Sequence, residues 1–207
     1  MAALSAFYPW VSIACPGVPN PVMDDAIRRA CREFSKATRS ITSDVSLPTV
    51  ASTQDYAPAL ATGTELVSVV SLKRSATESL PQRTQEYIDA HDASSGDAIE
   101  FCVLETNPLS LRLRPTPDSI ETLTLKVALM PLDDATTVDS RLFDWHVEGV
   151  TAYAKYLLQN QVDKPWSNPD AAKFSFRQFE TQSSAVIIRR NQGYGTVPMS
   201  VEMRPFA

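Results

Sequence analysis

Apolar positions recur at helical spacing near both ends of the chain and at alternating spacing in its middle. Near the start, Met23, Ile27, Ala30, Phe34 and Ala37 step by three and four, which puts them on one stripe of a helix. Asn20 suits an N-cap, and Pro21 suits the first helical position, where its missing N–H costs nothing. Asp24 and Asp25 favour the positive end of that helix, each four residues before an arginine, Arg28 and Arg29. A second helix is predicted through DSRLFDWHVEGVTAYAKYLLQNQ, with adjacent stripes Phe143–Val147–Val150–Ala154–Leu157 and Leu142–His146–Gly149–Tyr153–Tyr156. So wide a face packs on more than one neighbour. The third helix starts in KPWSNPDAAKFSFRQF, where Asn168 caps, Pro169 begins, and Ala172, Phe176 and Phe179 lead toward Val186 and Ile187. A link of about seven residues makes the last two helices an antiparallel hairpin. Pro165, Trp166 and Pro169 form its structural corner.

Between roughly 45 and 131 the pattern changes. ELVSVVSL, EYIDA, AIEFCVLET, SLRLR and TLTLKVALM are short, β-branched or alternating, and separated by Gly, Pro, Asn and Ser. Leu111, Leu113, Leu123, Leu125 and Val127 alternate with Arg112, Arg114, Thr124 and Lys126, as antiparallel strands with one wet face do. The polar segment 73–96 is expected to hold a loop or a mobile hairpin. The predicted fold class is α+β: an antiparallel helical bundle with an inserted antiparallel β lobe and an extended C-terminal tail. Its division is an N-terminal arm and helix (1–44), the β lobe (45–131), the helical hairpin (132–190) and the tail (191–207), within a single domain.

Composition narrows the function. The chain has 207 residues, a formal net charge of -5 and 43% hydrophobic residues, an ordinary folded composition and a poor one for a general nucleic-acid binder. Cys15, Cys31 and Cys102 are scattered and odd in number, which suggests reduced thiols in a cytosol. No signal peptide or membrane-length apolar run is read in the sequence.

Chemical motifs are scarce. His91 and His146 lack the neighbours of a zinc site, and no G-x-S-x-G elbow supports a nucleophile. The pairs Asp24–Asp25 and Asp133–Asp134 are adjacent rather than placed across a cleft, as glycoside hydrolysis requires. No Gly-rich loop leads into a helix, and no cofactor is expected. Arg28, Arg29, Arg32, Lys36 and Arg39 form one basic face. A solvated face balanced by Asp24, Asp25 and Glu33 is the weightier reading, with contact to DNA or an acidic partner as the alternative. The helical pattern breaks at Gly193 and Gly195, and Val197, Met199, Val201, Met203 and Phe206, together with Tyr194, read as an apolar strip suited to docking on a partner.

Taken in order, FYPWVSIACPGVPNPVMDDAIRRACREFSKATRS, DYAPALATGTELVSVVSL and LFDWHVEGVTAYAKYLLQNQVDKPWSNPDAAKFSFRQFE resemble blocks of the head-to-tail connector proteins of tailed bacteriophages, especially those with podovirus-like tails. The resemblance covers most of residues 7–190. It implies a ring, commonly of twelve copies, attached under the phage portal protein. The ring would extend the channel through which viral DNA passes without sequence-specific binding, and would offer a platform to a downstream tail or nozzle protein. It implies no catalysis, no cofactor, no membrane, assembly in the host cytoplasm and a final place in the neck of the virion. A small tail-associated hydrolase and a DNA-binding module using the basic face are the alternatives.

Overall fold

The computed structural model describes residues 1–91, 95–106 and 109–193. In chain order its elements are β1 (Ala2–Ala3), a 3-10 turn (Leu4–Phe7), α1 (Tyr8–Ser12), α2 (Asn20–Thr38), β2 (Thr42–Pro48), β3 (Asp55–Tyr56), β4 (Thr64–Lys73) and β5 (Ser79–Leu80). There follow α3 (Gln85–Ala90), β6 (Glu100–Leu104), β7 (Ser110–Arg114), β8 (Thr122–Pro131), β9 (Thr137–Val138), α4 (Ser140–Asp144), α5 (Val147–Gln159) and α6 (Pro169–Asn191). The α+β prediction holds: a bundle of α2, α5 and α6 packs beside antiparallel strands inserted between its first helix and its last two.

The strands form a four-stranded sheet, β2-β8-β4-β5, a three-stranded sheet, β3-β7-β6, and the short pair β1-β9. The two larger sheets are stitched together where Arg83 N–H donates to Phe101 O (2.7 Å) and Phe101 N–H to Pro81 O (3.2 Å). β8 is the central strand, paired with β2 along Thr42–Pro48 and with β4 along Thr64–Lys73. Its alternation is as read: Leu123, Leu125 and Val127 are buried while Thr124 and Lys126 are exposed.

One apolar core runs from Leu4 to Val186 through both the bundle and the strands. At its helical centre, Phe34 is fully buried and its ring sits 6.3 Å from that of Phe179. α5 passes this ring at Gly149, where an added Cβ would lie 2.4 Å from a Phe34 ring carbon. Only a residue without a side chain lets the helices approach so closely.

Several local expectations change. α2 begins at Asn20 with Pro19 as its cap and no side-chain cap bond, so Asn20 is the first helical residue. Its buried stripe ends on Thr38 rather than the exposed Ala37, because the Thr38 hydroxyl donates back to Phe34 O (2.7 Å) and needs no water. The single helix read through 139–161 is two, broken at Trp145 and His146. EYIDA lies in α3, whose start is capped by Thr84 Oγ1 accepting from Tyr87 N–H (3.3 Å). The link between α5 and α6 spans residues 160–168.

Candidate interface surfaces

The corner at Pro165–Pro169 is a fixed turn. Asp163 adopts a left-handed backbone (φ 58°), and the Trp166 indole N–H donates to the Gln161 side-chain oxygen (3.1 Å) while its ring packs on the core. Asn168 accepts from Ala171 N–H (3.1 Å), capping α6 as read. Beneath the turn, the buried Ser175 hydroxyl donates to the buried Gln159 side chain (2.9 Å), joining the two helices through a satisfied polar pair. Trp166 is therefore half-buried structure. The corner instead shows Val162 and Phe174 to solvent, with Phe174 71% exposed.

The far end of the same hairpin carries a second apolar surface. Where α4 stops and α5 begins, Trp145 is 70% exposed at the rim of a cavity of about 520 Å3 floored by Phe34 and walled by His146, Val186 and Arg189. His146 lies 5.2 Å from the Phe34 ring. Burial, and then the charges of Arg189 and Arg141, hold its imidazole below the ordinary histidine range, so it is neutral at pH 7. Exposed large aromatics of this kind are typical anchors of protein contacts. Neither Trp145 nor Phe174 stood out in the sequence: Phe174 lies off the α6 stripe, which was the available signal, and Trp145 lay hidden in an apparently continuous helix.

The five basic residues of α2 do not remain one open face. Arg28 donates to Ala135 O (2.9 Å), and Arg32 binds Pro131 O, Glu65 (3.1 Å) and Asp133 (2.9 Å) with its side chain only 12% exposed. Both fasten the β8–β9 connection to the helix. Arg29 pairs loosely with Asp25 (3.8 Å), while Lys36 and Arg39 are exposed. Arg39 ends the helix in a left-handed conformation (φ 49°).

Of the docking strip, Tyr194, Val197, Met199, Val201, Met203 and Phe206 lie outside the described residues. α6 leads to it, and Arg190 in its last turn donates to Thr38 O of α2 (2.7 Å). Tyr8 is also tied down: its hydroxyl donates to Asp24 (2.7 Å), and burial with this carboxylate pushes its pKa up to about 12.

Reactive arrangements do not form from the described residues. The three cysteines are free and buried, and burial pushes the Cys31 thiol up to about 12, far from a reactive thiolate. No group of three His, Cys, Asp or Glu side chains among the described residues is placed to hold a metal ion. No described helix is long and apolar enough to cross a membrane.

A rigid α+β body with apolar anchors at both ends of its hairpin has the make-up of a structural connector. Sequence comparison gives the family: its profile, described as SU10 adaptor protein, matches residues 9–201. The chain belongs to that family and is a phage head-to-tail adaptor, a non-catalytic structural component linking head and tail parts. Comparison with curated proteins gives no match.

Proposed function

We propose that copies of this chain form a ring, twelve in number as in the connectors it resembles, beneath the portal protein of the virion. The ring extends the DNA channel, touches viral DNA without reading its sequence, and receives a downstream tail or nozzle protein. It assembles in the host cytoplasm and ends in the neck of the particle. Residues 191–207 dock on the portal through the apolar strip, and residues 1–190 act as the body. The observation that carries this reading is the pair of exposed anchors, Trp145 and Phe174, at opposite ends of the hairpin. The 13 residues of α5 separate those ends by roughly 20 Å. A part held between two different partners needs two such surfaces.

Cryo-electron microscopy of the intact particle tests the reading directly, with a ring of this chain under the portal as the expected result. Deleting residues 191–207 is expected to abolish co-sedimentation with portal rings while leaving the thermal melt unchanged. Portal binding that survives the deletion would remove the tail's assigned role.

A further inference from the structure

Two open grooves flank β4, and their charges are opposite. The first, of about 720 Å3, is lined by Leu60, Leu66 and Leu109 together with Glu65, Asp133 and Asp134. Arg32 offsets one of these three carboxylates, so two negative charges remain in excess, and among the described residues no cation lines the groove itself. The second, of about 730 Å3, is lined by Val69, Val70 and Gln82 together with Arg39, Lys126 and Arg190. No acid lines it. Arg190 spends its hydrogen bonds on uncharged oxygens of Thr38 and Asn191, and among the described residues Arg39 and Lys126 have no ion-pair partner. Asp44 stands opposite Lys126 across the β2–β8 ladder, so a net excess of two positive charges surrounds Val70, which is 50% exposed.

We infer that the acidic groove of one copy receives the rim of the basic groove of the next, and that this pairing is the lateral contact of the ring. The inference rests on the ring reading above. A contact repeated head-to-tail joins two different patches of one chain and closes by rotation. Here the chain carries both patches, opposite in sign and each part apolar. Glu65 and Val70 lie five residues apart on β4, roughly 17 Å, so neither groove can satisfy the other within one molecule. A second copy fits better than nucleic acid. Val70 occupies space that a phosphate track would give to water and cations, and the acidic groove farther along β4 adds a weak, salt-screened repulsion of a polyanion.

The test uses two charge-reversed proteins, Arg39→Glu/Lys126→Glu and Asp133→Lys/Asp134→Lys, each checked for a normal melt and mixed with purified portal rings. Ring formation is counted by electron microscopy. Each variant alone sets like charges face to face, and its ring fraction is expected to fall roughly tenfold or more. An equimolar mixture restores attraction at every joint, because each variant presents the sign that the other lacks, and rings of alternating copies should return. A ring-forming single variant overturns the inference, as does a mixture that stays unassembled, since a lost portal contact would not be rescued by mixing. Salt-sensitive DNA binding that Arg39→Glu/Lys126→Glu removes, with rings intact, assigns the basic groove to nucleic acid instead. If the unaltered chain forms no ring on the portal, the ring reading itself fails; that result is distinct from every variant outcome.

Discussion

The bundle and the outer β region around α3 are held by different forces. In the bundle, Phe34 packs between Gly149 of α5 and Phe179 of α6, and the core around it is apolar. Around α3 the separate apolar cluster, among the described residues, is Ile88, Cys102 and Leu104. That helix is secured by guanidinium clamps: Arg112 grips Asp55 (2.7 Å) and Asp89 (2.8 Å), Arg114 and Arg83 share the buried Glu100, and both arginines lie over the Tyr87 ring. Packing resists salt and responds steeply to volume, whereas exposed ion pairs contribute about 1 kcal/mol or less each and are screened. One chain thus has a volume-sensitive half and a charge-sensitive half.

The largest break in that comparison should come from volume. Phe34→Ala empties the meeting point of α2, α5 and α6, and a loss of about 3–5 kcal/mol is expected in denaturant melts. Gly149→Ala drives a methyl into the same ring and should cost about 1–3 kcal/mol. A melt unchanged by either substitution would show that the bundle is not packed as described.

Acid should separate the halves by pH. His146 has a folded pKa below its unfolded value, so its contribution is present above about pH 6.5 and is lost as pH falls toward the folded value. Asp55 is likewise held below the usual carboxylate range, first by its hydrogen bonds from Arg112. Its contribution is lost only below about pH 4, as pH falls through its depressed folded value. Amide exchange followed between pH 7 and 3 should show the α5 start loosening before α3. The reverse order would contradict the assignment of forces.

The smallest effect is from salt. Raising it to about 1 M shortens the screening length to about 3 Å. Exchange in α3 should quicken by a factor of about two to five while the amides around Phe34 hold their rate. Arg112→Gln should reproduce that selectivity at low salt.

The same contrast explains how much could be read from residue order. Apolar periodicity marked α2 and the Asn168–Pro169 start marked α6, while alternation marked β7 and β8; on β4 two bulges space the buried Leu66, Val69 and Leu72 by three residues. The break at Trp145–His146 was concealed because Leu142, Phe143, Val147 and Val150 keep helical spacing across it. α3 was taken for a strand because YI is β-prone, and only the Thr84 cap and the arginine clamps decide otherwise. β2 gave little pattern because it is an edge strand with a single buried side chain, Leu47, on its pleat. For the interface surfaces, legibility was lower still. Trp166 was read as part of a structural corner and lies half-buried there, while Trp145 and Phe174 become conspicuous only once burial is known. The pairing of acidic and basic grooves joins residues of β4, β8 and α6 with residues of connecting loops, a proximity that no local pattern encodes.

Arg190 carries a mechanical consequence. It grips the terminal turn of α2 from the last turn of α6, two helices at opposite ends of the sequence. Tension applied to the chain beyond Gly193 meets this bond at the last turn of α6, and the part of the load that the bond carries passes to Thr38 and the buried helix behind it.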